Sequence, residues 1–401
     1  MIEQQIKRDM VIVGGGIAGL WCWHQLHRQG YKPLLIEGNA LGAGQTLASQ
    51  GMIHGGQKYT LEGVASQHAE DLRDMPQIWE DCMKGQGVVD LSGVQKLASQ
   101  QHLFATSGLG KFATFAAGKS MRARVERLAK DEWPDVFRHH PKFSGKIYAL
   151  PESVLDGKSL VSSLFQPYAA ASLAGRVEDL ELSPDGALAA VLGENAQGSF
   201  RVEAQAFLFT SGLFNEKVVQ KLQLDRDGPK TQRRPLTQVM VRGMPYAFFG
   251  HGLTLDPRPR VTITSHPDPR GSGYVWYLGG LVAEKGASQS AEEAIEFGRS
   301  ELMNLFPHLP WNEAEWGAYP IDRAEAFVKS GFLKSGPQSM VAGNAMLAWP
   351  SKLTFAPLLG RKVVDWVEGL GISPVDEAQD QAWTRCEVGV YPWEQVTWHR
   401  Y

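Results

Sequence analysis

Met10-Val-Ile-Val13-Gly14-Gly15-Gly16-Ile17-Ala18-Gly19, running on through a helix to Pro33-Leu-Leu-Ile36-Glu37, is the stretch that decides the fold. Met10 to Val13 is a short apolar run of the kind found in a buried parallel strand. Gly14 permits a tight turn, Gly16 lets the backbone approach a diphosphate, and Gly19 lets the following helix pack closely on the strand. Ile17 and Ala18 open that helix, whose N-terminus presents free N–H groups and a partial positive charge. The helix runs to Gln29 and stops at Gly30, and Pro33 to Ile36 is the second strand. Glu37 falls roughly 20 residues beyond the turn, where an acid bonds ribose hydroxyls and disfavours a 2′-phosphate. The unit reads as a site for the pyrophosphate and ribose of a dinucleotide.

The 401 residues provide core for two to three domains at ~150 residues each. A net charge of −3 with no basic stripe argues against nucleic acid. Cys22, Cys82 and Cys386 are odd in number and far apart, which fits a reduced compartment and shows no metal spacing; the expectation is a cytoplasmic protein with no metal. Lys7 and Arg8 ahead of an apolar run imitate a signal peptide, but strand, glycine turn and helix account for that run fully. No stretch approaches the ~20 apolar residues of a membrane span, which leaves peripheral contact open.

Beyond Glu37, Gly38 to Gly56 is a loop of small and polar residues able to wrap a long cofactor; Thr46, Ser49, Gln50 and Gly51 offer hydroxyl, amide and backbone groups. The spacing predicts helices over Leu61–Lys84, interrupted at Pro76, over Ala117–Ala129, over Asp156–Ala174 and over Ala291–Phe306, with a last one over Leu358–Gly369. Strands are expected at Leu97–Thr106, Lys146–Leu150, Gly175–Leu182, Ala187–Leu192 and Ser339–Ala342, and Phe200–Glu203 is expected to pair with Ala206–Thr210. The last of these runs into Ser211-Gly212, a small-residue turn at the end of a strand where ligands of α/β sheets bind. Gln238–Arg242, Arg260–Ser265, Gly273–Leu281 and Trp316–Arg323 alternate aromatic and β-branched residues as a half-buried antiparallel sheet does. The expected organisation is a discontinuous cofactor unit (1–80, 150–215, 320–372) interleaved with a substrate unit (81–149, 216–319), a tail at 373–401, and a ligand at their junction.

This combination resembles the D-amino-acid oxidase and glycine oxidase superfamily of FAD-dependent oxidoreductases. The resemblance implies an α/β fold with a Rossmann-like FAD-binding domain of glutathione-reductase-2 type and an antiparallel-sheet substrate domain. The fingerprint at Gly14, Gly16 and Gly19 carries it, as does Gly175-Arg-Val177, similar to the segment whose valine backbone meets the adenine. Phe207-Leu-Phe-Thr-Ser211-Gly212 and Ala342 to Gly360 are similar to the segments that flank the cofactor. Ile53-His54-Gly55-Gly56-Gln57-Lys58-Tyr59 and Lys352-Leu353-Thr354 are similar to stretches of glycerol-3-phosphate dehydrogenase, and L-2-hydroxyglutarate oxidases share a comparable Ile-His stretch. In the place where many relatives carry an arginine before a proline, to clamp a substrate anion, this chain has Tyr319-Pro320, with Arg323 four residues on; Lys58 stands where the glycerol-3-phosphate enzyme has arginine. Both differences point away from a plain amino acid or glycerol 3-phosphate.

The resemblance implies a hydride transfer from a CH–OH or CH–NH carbon of a small substrate to flavin N5, with oxygen, a quinone or another carrier as acceptor. A hydroxyl substrate also needs a base, and His54 is the candidate; it is alternatively a covalent flavin anchor. Lys352 places a charge near the flavin, or binds a substrate anion, and Thr354 bonds the flavin carbonyl edge. Lys58, Tyr246, Tyr274 and Arg323 are the expected substrate contacts. The alternative reading is a non-catalytic or RNA-modifying flavoprotein subunit.

Overall fold

The computed structural model describes residues 4–55, 67–105, 125–254, 258–271, 273–329, 336–372 and 384–401. The strand Gln4–Val13 lies at the centre of an eight-stranded sheet. Gly198–Phe209 and Leu34–Glu37 flank it in parallel, followed outward by Ala345–Trp349 on one side and Ser172–Ala174 on the other. Its alternate side chains enter two cores. Met10 and Ile12 face one way with Leu35 and Leu208; Val11 and Val13 face the other with Phe207 and Phe209. A parallel strand covered on both faces must be apolar at every position, which is why its sequence reads as a continuous run. The helices Ile17–Arg28 and Ala356–Leu370 cover the first face, packing Trp21 and Leu359 into its core.

A second, nine-stranded sheet is built mainly of antiparallel pairs around Thr231–Met244, Tyr274–Gly279, Val261–Pro267 and Glu315–Ala326. Val239, Val241, Trp276 and Leu278 point into a core of their own beneath the helix Ala291–Leu305. Met240, Val275 and Tyr277, on the other face, belong to the core shared with the cofactor-type sheet. The two sheets are thus joined across one face. No helix among the described residues is long and apolar enough to cross a membrane.

Several local expectations change. The helix Gln67–Met83 runs unbroken through Pro76; burial of Met75, Trp79 and Cys82 offsets the ~3 kcal/mol that an interior proline costs. The helix expected over 156–174 ends at Phe165 and tightens into a 3₁₀ turn over Gln166–Ala171, and Ser172–Ala174 is a strand paired with 35–37. Pro167 lacks the N–H to continue the helix, and edge pairing leaves no periodicity to read. Residues 198–209 form one strand, not two, because Gln4–Arg8 extends the central strand far enough to pair with it from Phe200 onward. Glu126–Arg127 is a strand, while 117–124 lies outside the described residues. Residues 320–326, expected with the cofactor unit, continue Glu315–Ala326 in the antiparallel sheet.

The tail docks. Ala174 and Leu41 donate backbone hydrogen bonds to Thr384 and Glu387, Tyr391 stacks on Trp393 at 4.1 Å, and His399–Arg400 adds an edge to the nine-stranded sheet. Trp393 also lies 4.2 Å from the buried ring of His266. Trp393→Ala is expected to destabilise the fold by about 3–5 kcal/mol, seen as a lowered urea midpoint.

Beneath that stack, burial pushes the His266 imidazole down to about 4 from 6.5. The native ring stays neutral while the unfolded chain takes up a proton, so the stability it contributes is complete above pH 6.5 and is lost as pH falls toward 4. The loss is about 3 kcal/mol at ~1.4 kcal/mol per unit. Unfolding at pH 5 against pH 7 checks it, with His266→Phe expected to flatten the dependence.

Candidate active and cofactor-binding site

The glycine turn is held by its neighbours. Gly14 sits at φ +108°, and a Cβ there would lie 2.7 Å from the Thr210 carbonyl oxygen and the Ser211 Cα. A Cβ on Gly19 would lie 1.9 Å from the Gly14 carbonyl oxygen. The Thr210 hydroxyl closes the turn by donating to that same oxygen at 3.0 Å. Gly16 caps the helix without a side-chain bond, and no acid stands in the first turn. Ile17 N–H donates to Thr46 Oγ1 at 2.9 Å, and Ala18 is buried behind it.

The Glu37 carboxylate accepts from Gly15 N–H at 2.6 Å and Asn39 N–H at 2.8 Å. Its carbonyl accepts from Gly175 N–H at 2.9 Å, which brings the strand carrying Val177 alongside. Ser211 donates to Asn215 Oδ1 at 2.7 Å, and Gly212 opens the next turn. Glycines where the backbone must come close, an acid-free helix start and a carboxylate beside them match what an ADP moiety requires.

A second cluster forms where the two sheets meet. Ser49 Oγ donates to the Thr46 carbonyl at 2.7 Å. The Gln50 amide donates to the carbonyls of Tyr277 at 2.9 Å and Thr262 at 3.2 Å, so this expected cofactor ligand fastens the loop to the antiparallel sheet. Gly51 and Ile53 then pair with Leu155 and Ser153. The His54 carbonyl accepts from Thr354 Oγ1 at 3.1 Å, and the Thr354 carbonyl accepts from Trp79 Nε1 at 3.1 Å. Two loops 300 residues apart are thereby joined. Just before Lys352, Ser351 holds φ +63°, a conformation rare for a residue with a side chain. Lys352 leads into the short turn Leu353–Phe355, in which Leu353 packs on the first core.

Two groups lie beside His54: Glu152, which no sequence signal marks, and His251, which belongs to the aromatic antiparallel region expected to roof the site. Glu152 is buried; its Oε1 accepts from Gly55 N–H at 2.7 Å and its Oε2 lies 3.7 Å from His54 Nδ1. His251, also buried, has its ring 5.9 Å from that of His54 and is held by Gln101 Oε1 at 2.9 Å and Thr262 Oγ1 at 3.0 Å. Pro151-Glu152-Ser153 carries no motif, so no sequence signal marks Glu152.

The expected substrate contacts divide. Tyr246 and Tyr274 pack against the core beneath the helix Ala291–Leu305, on the face turned away from His54; the Tyr246 carbonyl accepts from Trp276 Nε1 at 2.7 Å. Alternation shows that a strand has two faces, not which one meets the site. Tyr319 is on the shared face, paired in register with Gln238, whose buried Oε1 has no hydrogen-bond partner. Arg323 pairs with Arg234 and lies 3.9 Å from Glu325 Oε1. Burial, reinforced by Arg234, pushes its guanidinium down to about 10, and its Nε and Nη2 are buried without a hydrogen bond. Lys58 lies outside the described residues.

A family model, FAD-dependent oxidoreductase (DAO), matches residues 9–366. The chain belongs to the DAO family of FAD-dependent oxidoreductases. Within that family, the chain is 36% identical over 398 residues to the probable FAD-dependent oxidoreductase PA4991 of Pseudomonas aeruginosa, covering 98% of this chain and 99% of that one. The crystal structure of the same protein superposes with a TM-score of 0.83 over 98% and 99% of the two chains. Glycine oxidase from Geobacillus kaustophilus shares the fold at a TM-score of 0.63 and 17% identity, over 91% of this chain and 95% of that chain. Glycerol-3-phosphate dehydrogenase from Bacillus halodurans, solved with FAD, does so at 0.60 and 14% identity, over 94% and 67%. FAD is therefore the cofactor of this DAO member.

Proposed function

We propose that this DAO-family flavoenzyme is a dehydrogenase or oxidase that removes a hydride from a CH–OH or CH–NH carbon of a small substrate. Bound FAD supplies the hydride acceptor, and oxygen, a quinone or another carrier takes the electrons onward. Gly14, Gly16, Ile17, Ala18 and Gly19, with Glu37 and Val177, would hold the ADP half. Thr46, Ser49, Gly51, Ser211 and Gly212 would line its path, and Lys352, Leu353 and Thr354 would hold the ring. The observation that carries this reading is the Thr354–His54 hydrogen bond, which sets a titratable imidazole beside the expected flavin-binding turn at the junction of the two sheets. A neutral imidazole there accepts the proton of a hydroxyl substrate, whereas a neutral amine needs no such base. Tyr319, Gln238 and Arg323, on the shared face, are the substrate contacts.

The test is an anaerobic screen of the FAD-loaded protein against amino acids, secondary amines, 2-hydroxy acids and glycerol 3-phosphate. One class is expected to bleach the flavin band. No bleaching by any of them, together with co-purification of a tight protein partner, contradicts the proposal.

A further inference from the structure

Glu152 is a buried carboxylate between two sequence-distant loops, and its two oxygens do different things. Oε1 accepts the Gly55 N–H at 2.7 Å, which fixes the backbone immediately after His54. Oε2 lies 3.7 Å from His54 Nδ1 and thus faces one nitrogen of the ring specifically. The His54 side chain is about a quarter exposed (26%), whereas that of Glu152 is 6% exposed. The acid is on the protein side of the imidazole.

We infer that Glu152 is a positioning residue for His54: it fixes the neutral imidazole's proton on Nδ1 and leaves Nε2 as the acceptor for a substrate proton. This rests on the reading of His54 as a base. A carboxylate accepts and never donates, so a ring nitrogen turned toward it carries the hydrogen. The separation exceeds a hydrogen bond, as catalytic contacts often do before substrate tightens them. When a hydroxyl substrate reacts, its O–H bond breaks and an Nε2–H bond forms. The electron pair left on oxygen closes the carbonyl as the carbon gives up its hydride to the oxidised cofactor. The resulting imidazolium is stabilised by the negative charge behind it.

Among the described residues, His251 and Lys352 do not replace that charge. His251 faces its ring at 5.9 Å, held by Gln101 and Thr262, and Lys352 lies two residues ahead of the Thr354 that bonds its carbonyl. Neither group carries a negative charge, and Glu152 does.

The experiment is a ¹⁵N-histidine NMR titration of the FAD-loaded protein, with the His54 signals assigned from their absence in His54→Asn. In the wild type, neutral His54 is expected as the Nδ1–H tautomer. Glu152→Gln keeps an oxygen acceptor for Gly55 and removes the charge; the midpoint of His54 is expected to fall by about one pH unit, a tenfold change in proton affinity. An Nε2–H tautomer, or an unmoved midpoint in a Glu152→Gln protein that retains FAD, overturns the inference. If that variant does not hold FAD, the wild-type tautomer decides alone. The reading of His54 as base fails separately: there His54→Asn reduces its flavin with an unchanged pH profile whatever the NMR shows.

Discussion

Gly19→Ala is expected to purify without flavin. The helix Ile17–Arg28 starts so close to the turn that a Cβ at 19 would lie 1.9 Å from the Gly14 carbonyl oxygen and 2.7 Å from Thr210 Oγ1. The nearest obstacle is backbone, so no side-chain rotation relieves it. Either the helix N-terminus moves off the turn or the turn itself opens, and both displace the N–H groups aimed at the pyrophosphate. Overpacking of this kind costs about 1–3 kcal/mol or more, which corresponds to roughly a hundredfold loss of FAD affinity at the upper end. The flavin-to-protein ratio after purification and a titration of the apoprotein with FAD check it. Stoichiometric flavin in Gly19→Ala contradicts the assignment of this turn to the cofactor.

His54→Asn is expected to keep its flavin and lose most of its reactivity toward a CH–OH substrate. The bond that ties position 54 to Thr354 uses the backbone carbonyl, so the substitution leaves it in place. What is lost is the proton acceptor, and general-base catalysis contributes about 10²–10⁴-fold. Stopped-flow anaerobic reduction across pH separates the roles: in the wild type the rate rises as the imidazole becomes neutral, and in the variant that limb is absent. A covalent anchor gives a different result, since flavin then stays with wild-type protein through acid precipitation and leaves the variant. An unchanged rate and limb contradict the role of His54 as base.

The parts of this molecule legible in its sequence are those made within a few turns of chain. Gly14, Gly16, Gly19 and Glu37 sit in one strand–helix–strand unit, so spacing alone placed them, and the structure holds them as one cradle. The meeting of His54 with Thr354 across 300 residues was visible only through resemblance, because no local pattern encodes a contact between loops. Glu152 was invisible for the same reason, with no neighbouring motif to mark it. Tyr274 stands on a strand covered on both faces, by a helix-backed core on one and the shared core on the other, and Tyr246 lies in the loop beyond Met244, so alternation alone does not say which side chains meet the site. Gln50 looked like a cofactor ligand by its loop; its partners, Thr262 and Tyr277, come from a sheet some two hundred residues away.

One turn, Gly14 to Gly19 with Glu37, is expected to hold the ADP half of FAD while the reacting ring lies at the His54–Thr354 junction. A crystal structure of the FAD-loaded protein tests it most directly. The expected result is the ribose on Glu37, the pyrophosphate at Gly16 and the ring against Lys352–Thr354 with His54 facing it. A ring bound away from that junction, or a ribose remote from Glu37, would contradict the account.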